Sequence, residues 1–189
     1  MSTDSILPYD LEVFPNYFLE EFLNLQKERV WYFEIGDVGD RQVNEVHSLV
    51  NFISDKWLVG FNSRDYDNQL IEFLIQSDEE FRSQPAGWIA QELFYLSTDI
   101  IENDNDRYKW DISFKALDLK RIGNIDKSLK MCGVDLRHYN ILELIRPHDE
   151  QVEPDEVQDI KDYNYNDLDI TTDLYHELRE DIQMRKKMT

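Results

Sequence analysis

The sequence predicts an α/β fold: a mixed sheet, three antiparallel strands followed by parallel ones, flanked by helices. Two observations predict it. Three short apolar segments open the chain, separated by breaks of hairpin length. A helix-spaced segment, a compact apolar run and then mostly helical spacing follow them.

Residues 5–14, 17–25 and 29–36 read as the three opening strands, with Pro15-Asn16 and Gln26-Lys27-Glu28 as the breaks. Between 41 and 54, Val43, Val46, Leu49, Val50 and Ile53 recur at helical spacing, so a helix is expected there. The apolar run 57–61 reads as a buried strand. Helices are expected over 68–76 and 84–97, a polar loop over 99–106 and a strand within 110–119. A short helix begins at Ser128, and one long helix runs from about Pro154 past Ile182. Strands, helix, strand and then helices is the order expected of a ribonuclease-H-like fold.

A chain of 189 residues is expected to form one domain with a sizeable core. Its 41% hydrophobic and 13% aromatic content is globular. Cys132 is the single cysteine, which rules out an internal disulfide and points to a reducing, cytoplasmic setting. The amino end carries no basic segment followed by an apolar run, and no stretch approaches the ~20 apolar residues of a membrane helix. The net charge of −20 discourages loose association with nucleic acid, whose affinity rests on cations meeting phosphates. A nucleic-acid enzyme with this charge must recruit substrate through metal ions and local basic residues, or through a more basic partner.

Within the first strand, Tyr9, Leu11 and Val13 share one face, which leaves Asp10 and Glu12 together on the other. Two like charges side by side fit either an exposed strand face or a pair gripping a divalent cation. After the 57–61 strand comes Asn62-Ser63-Arg64-Asp65-Tyr66-Asp67. Asp67 suits a helix N-cap, and it also stands at the carboxyl end of a strand, where α/β sites gather. Asn62 would hold the loop or a substrate phosphate. The last helix contains Tyr-x-x-x-Asp twice, as Tyr163/Asp167 and Tyr165/Asp169. Extending the first register gives Thr171, Leu174 and Leu178, flanked by Ile160, Leu168, Tyr175 and Ile182, a largely apolar stripe. The second continues through Thr172, Asp173 and His176, a solvated face. A site must look toward the sheet, so Tyr163 and Asp167 are chosen and Asp169 is read as a surface acid.

Asp10-x-Glu12, Asn62 through Tyr66-Asp67, and Tyr163-x-x-x-Asp167, in this order, resemble the three motifs of the DEDD 3′–5′ exonucleases, tyrosine subtype. The runs Tyr-Asp-Leu-Glu-Val-Phe-Pro-Asn-Tyr-Phe, Ser128-Leu129-Lys130 and Asp162-Tyr163-Asn164-Tyr165-Asn166-Asp167 further resemble proofreading domains of bacteriophage DNA polymerases. The resemblance spans nearly the whole chain. It implies that Asp10, Glu12, Asp67 and Asp167 bind two divalent ions, Mg²⁺ or Mn²⁺, and that Tyr163 orients the attacking water. It implies substrate contacts from Asn62 and, more loosely, from Lys130, which would either meet a phosphate or lie along its short helix. Phe14, Tyr17, Phe61 and Tyr66 lie near the motifs and would either stack on bases or pack in the core.

The implied function is release of nucleoside monophosphates from DNA 3′ ends. The implied substrate is single-stranded DNA or a frayed primer end, and the setting is the cytoplasm of a phage-infected bacterial cell. The final helix has no Gly or Pro to stop it, so residues 1–189 are expected to be a proofreading domain leading into a polymerase, or else a complete stand-alone nuclease of the same family, with a polymerase partner in cis or in trans. The rival expectation is a non-catalytic acidic module, a DNA mimic or polymerase-binding subunit, which the charge favours.

Overall fold

The computed structural model describes residues 5–103 and 111–188. The three opening strands form as expected: β1 (Ile6–Phe14), β2 (Tyr17–Leu23) and β3 (Val30–Val38). A further strand, β4 (Arg41–Asn44), precedes α1 (Val46–Ile53), so the helix expected over 41–54 is shorter and follows a strand. The cause is a hairpin: Gly39, at φ +61°, sits in a two-residue turn that returns the chain onto β3. Then come β5 (Trp57–Gly60), α2 (Asp67–Gln76), a single turn α3 (Glu79–Arg82) and α4 (Ala86–Asn103). α4 carries residues 99–103, part of the expected polar loop; the rest of that loop, 104–106, and Trp110 lie outside the described residues. Of the strand expected within 110–119, Lys115–Asp118 forms β6, and Leu119–Ile122 turns into α5. α6 (Leu129–Asp135) follows Ser128, whose hydroxyl accepts from the Met131 N–H. The long final helix is two, α7 (Val157–Glu177) and α8 (Arg179–Met188), which meet at Leu178.

These strands make one mixed sheet of six, in the order β4-β3-β2-β1-β5-β6. β1 to β4 pair antiparallel, whereas β1/β5 and β5/β6 are parallel. Alternation along β1 divides its side chains between two layers. Leu7, Tyr9, Leu11 and Val13 enter the main core with Leu49 of α1, Leu70 of α2 and Leu93 of α4. The opposite face carries α7, which crosses β1, β2 and β5 and has α6 packed on it. Phe14, Tyr17, Leu19 and Ile160 fill one end of that layer, while Val59, Leu119, Cys132 and Leu174 fill the other. Phe14 and Tyr17 are therefore core residues. Among the described residues, no helix is long and apolar enough to cross a membrane.

Candidate active site

β1 pairs with β5 only over Ile6–Pro8, so the two strands part before Asp10. Their carboxyl ends leave a crevice of the kind in which α/β proteins commonly hold ligands. Asp10 and Glu12 look from β1 toward α7, as the alternation requires. Asp67 arrives from the other wall. It is the first residue of α2 rather than its N-cap, a position held by Tyr66, and no side-chain cap bond forms. An acid in a first helical turn still faces the positive end of the helix dipole. α7 supplies Tyr163 and Asp167, one turn apart and so on one face. Asp10, Phe61, Asn62, Tyr66, Asp67 and Asp167 line one open cavity of about 610 Å³. An apolar groove of about 410 Å³, between β1 and α4, adjoins it at Tyr66 and Ile101 and is lined by Glu12.

The turn joining β5 to α2 is built to tight tolerances. A Cβ on Gly60 would lie 2.5 Å from that of Ser63. Asn62 adopts a left-handed backbone, φ +58°, which Asn tolerates better than most residues. Asp118, at the end of β6, accepts from the N–H groups of Asn62 (3.0 Å), Arg64 (3.3 Å) and Lys120 (3.0 Å). Sequence reasoning did not single out Asp118. Its only signal was an Asp before a short helical turn.

The four acids influence one another across the cavity. Burial raises the Asp10 carboxyl well above its ordinary range, and Asp167, Glu12 and Asp67 add to the rise. Glu12 is pushed up to about 8 by burial, then by Asp167 and Asp67. Asp67 is also raised to about 8, by burial and then by Asp118. Burial raises Asp167, but there Lys130 opposes it. Lys130, from α6, is hydrogen-bonded to Asp167 and lies 4.3 Å from the Tyr163 ring centre, a cation–π distance. Burial, followed by Asp167, Glu12 and Asp10, pushes the Tyr163 phenol far up, so it carries its proton at neutral pH.

The second register goes elsewhere. The Tyr165 phenol is raised by burial and then by Asp169, not by the four acids. Asp169 is not a surface acid, being only 5% exposed. Lys27, from the β2–β3 turn, lies 2.5 Å from Asp169 and 2.5 Å from Asp173, and His138 lies 2.9 Å from Asp169. Thr172, of the face expected to be solvated, is also buried, whereas His176 is exposed. His138, Asp169 and Asp173 are, among the described residues, the one trio of potential ligand atoms within 4.8 Å of each other. The Lys27 ammonium already supplies the cation there. No three of Asp10, Glu12, Asp67 and Asp167 come that close. Mutually repelling carboxylates are expected to stand around a cavity rather than converge on one point.

Their chemistry fits hard divalent ions, which take carboxylate oxygens and retain waters. Asp65, beside Asp67 in sequence, is exposed and paired with Arg121 at 2.5 Å. Asn164, which sequence reasoning passed over as a variable position within Tyr-x-x-x-Asp, is fully buried and donates to Asp10 at 3.2 Å. Compared with known proteins, the chain matches no family model, no curated protein and no solved structure.

Proposed function

We propose that this chain is a metal-dependent 3′–5′ exodeoxyribonuclease of the DEDD class, tyrosine subtype, with a ribonuclease-H-like fold, acting as the proofreading domain of a DNA polymerase. The observation that carries the reading is the set of interacting acids, Asp10, Glu12, Asp67 and Asp167, from three separate elements: Asp10, Asp67 and Asp167 line one cavity and Glu12 lines the groove beside it. The mixed sheet, with its antiparallel hairpins beside a parallel pair, is compatible with the fold.

The four acids would hold two Mg²⁺ or Mn²⁺ ions. Bound there, the ions would supply charge neutralisation and activation of water. The chain's own residues do the rest. The protonated Tyr163 phenol orients the attacking water by a hydrogen bond and is too weakly acidic to serve as its base. Water attacks the terminal phosphodiester, the bond from phosphorus to the 3′-oxygen breaks, the proton lost by the water passes through solvent to that 3′-oxygen, and a nucleoside 5′-monophosphate departs. Lys130 is placed to meet phosphate charge once it leaves Asp167. Phe61 and Tyr66, lining the cavity, offer ring faces to splayed bases, which favours single-stranded DNA or a frayed primer end. Asn62 stands exposed at the same wall, within reach of a terminal nucleotide.

The test is incubation with a 3′-labelled single-stranded DNA oligonucleotide and an RNA counterpart, with Mg²⁺, Mn²⁺ or chelator. Mononucleotide release from DNA is expected with metal only, absent in Asp10→Ala, and slowed about 100-fold in Tyr163→Phe but not in Tyr165→Phe. Release unaffected by Asp10→Ala would overturn the site. Absence of release with metal bound would favour the second reading, a non-catalytic acidic polymerase-binding or DNA-mimic module, which the net charge of −20 supports.

A further inference from the structure

We infer that Asn164 is a positioning residue which holds Asp10 and Glu12 in the orientation a divalent cation requires, at the expense of fold stability. The inference rests on the nuclease reading in taking those two acids as cation ligands. Asn164 lies on α7 between Tyr163 and Asp167 and is fully buried. Its Nδ2 donates to Asp10 Oδ2 at 3.2 Å. The same amide also lies beside the Glu12 carboxyl. Its Oδ1 is buried and has no hydrogen-bond partner among the described residues. A buried amide that uses only its donor end is a poor structural element, because the unpaired carbonyl has lost its water without compensation. An apolar side chain of the same size would serve packing better. What the amide adds is a planar N–H donor that holds Asp10 beside a second carboxylate that otherwise repels it.

Residues that orient metal ligands through hydrogen bonds contribute strongly to affinity, and their loss weakens binding about 10- to 100-fold. Asn164→Leu keeps the volume and removes both donors. Asn164→Ser keeps one small donor that cannot span both acids.

Calorimetric titration with Mn²⁺, together with apo melting temperatures, tests the inference on the wild-type chain, both variants and Asp10→Asn. The expected result is tight Mn²⁺ binding to wild type and loss of a binding event in Asp10→Asn. Mn²⁺ affinity should fall at least 10-fold in Asn164→Leu and less in Asn164→Ser, with the Leu variant melting at or above wild type. Wild-type affinity in either folded Asn164 variant would overturn the positioning role, as would a lowered melting point without loss of affinity. Should Asp10→Asn bind Mn²⁺ like wild type, the cation site itself is misassigned, a separate failure that the Asp10 arm alone reports.

Discussion

Lys130 is a cation held against Asp167, and its charge also pulls down the carboxyls of Asp10 and Glu12. Breaking such a pair leaves a buried carboxylate alone, which destabilises more than the intact pair stabilises. Lys130→Met, which keeps the apolar stem, is therefore expected to lower the melting temperature at pH 8 in chelator by several degrees. Millimolar Mn²⁺ should raise the variant's melting temperature by more than it raises the wild type's, since the added cation replaces the lost charge. Differential scanning calorimetry with and without Mn²⁺ checks this. An equal Mn²⁺ shift in both proteins would detach Lys130 from the proposed cation site. At this scale the helical face argument chose Tyr163/Asp167 over Tyr165/Asp169, and Asp167 lines the cavity with Asp10 and Asp67. It misjudged Asp169 because the partner that permits its burial, Lys27, comes from a distant hairpin turn. Asn164 was illegible for a related reason. A motif written as Tyr-x-x-x-Asp directs attention to one face, while a buried helix also presents its neighbouring positions to the sheet.

The elements that carry the site are short and their ends matter more than their lengths. Gly60 closes β5, where an added Cβ would meet Ser63 at 2.5 Å and Tyr9 at 3.0 Å. Gly60→Ala must displace the turn that presents Asn62 and Asp67. Overpacking of this kind costs about 1–3 kcal/mol, or about 2–4 °C of melting temperature per kcal/mol in a chain of this size. The proposed nuclease activity should fall further than the lost stability explains at temperatures where the variant is fully folded, and wild-type rates from a folded variant would show the turn to be adaptable. Strand and helix identities were largely legible because β1, β2 and α7 carry strong periodicity. Boundaries were not. β4 was absorbed into a helix because Val43 happens to fall in register with Val46 and Val50, although the two-residue turn at Gly39-Asp40 already marked a hairpin. The break at Leu178 lacks any Gly or Pro; Ile182 beyond it packs with Val59, Leu119 and Cys132.

Over the whole molecule, acidity reaches into the core itself, which composition alone did not foretell. Register puts Glu20 opposite Leu11, on the face of β2 that also carries Phe18 and Phe22. Its side chain is 0% exposed and neither oxygen has a hydrogen-bond partner among the described residues. Burial raises its carboxyl well above the usual range, and burial pushes neighbouring Glu21, on the α7 face, up to about 8. Both groups hold protons in the folded chain that the unfolded chain releases near pH 4.5. Between about pH 4.5 and 8 the native state thus binds more protons, so stability is greatest at the acid end and declines as pH rises. The chain is expected to melt several degrees lower at pH 8 than at pH 5 in chelator, the reverse of a protein held by ionised carboxylates. Glu20→Leu removes an unpaired group that costs about 1–3 kcal/mol. It should raise the melting temperature at both pH values, and more at pH 8, so that the pH dependence flattens. Calorimetry of the two proteins at pH 5 and pH 8 decides the matter. A Leu variant that gains equally at both pH values would mean that Glu20 takes no part in the titration. A wild-type chain more stable at pH 8 would place the proton uptake in the unfolded state instead.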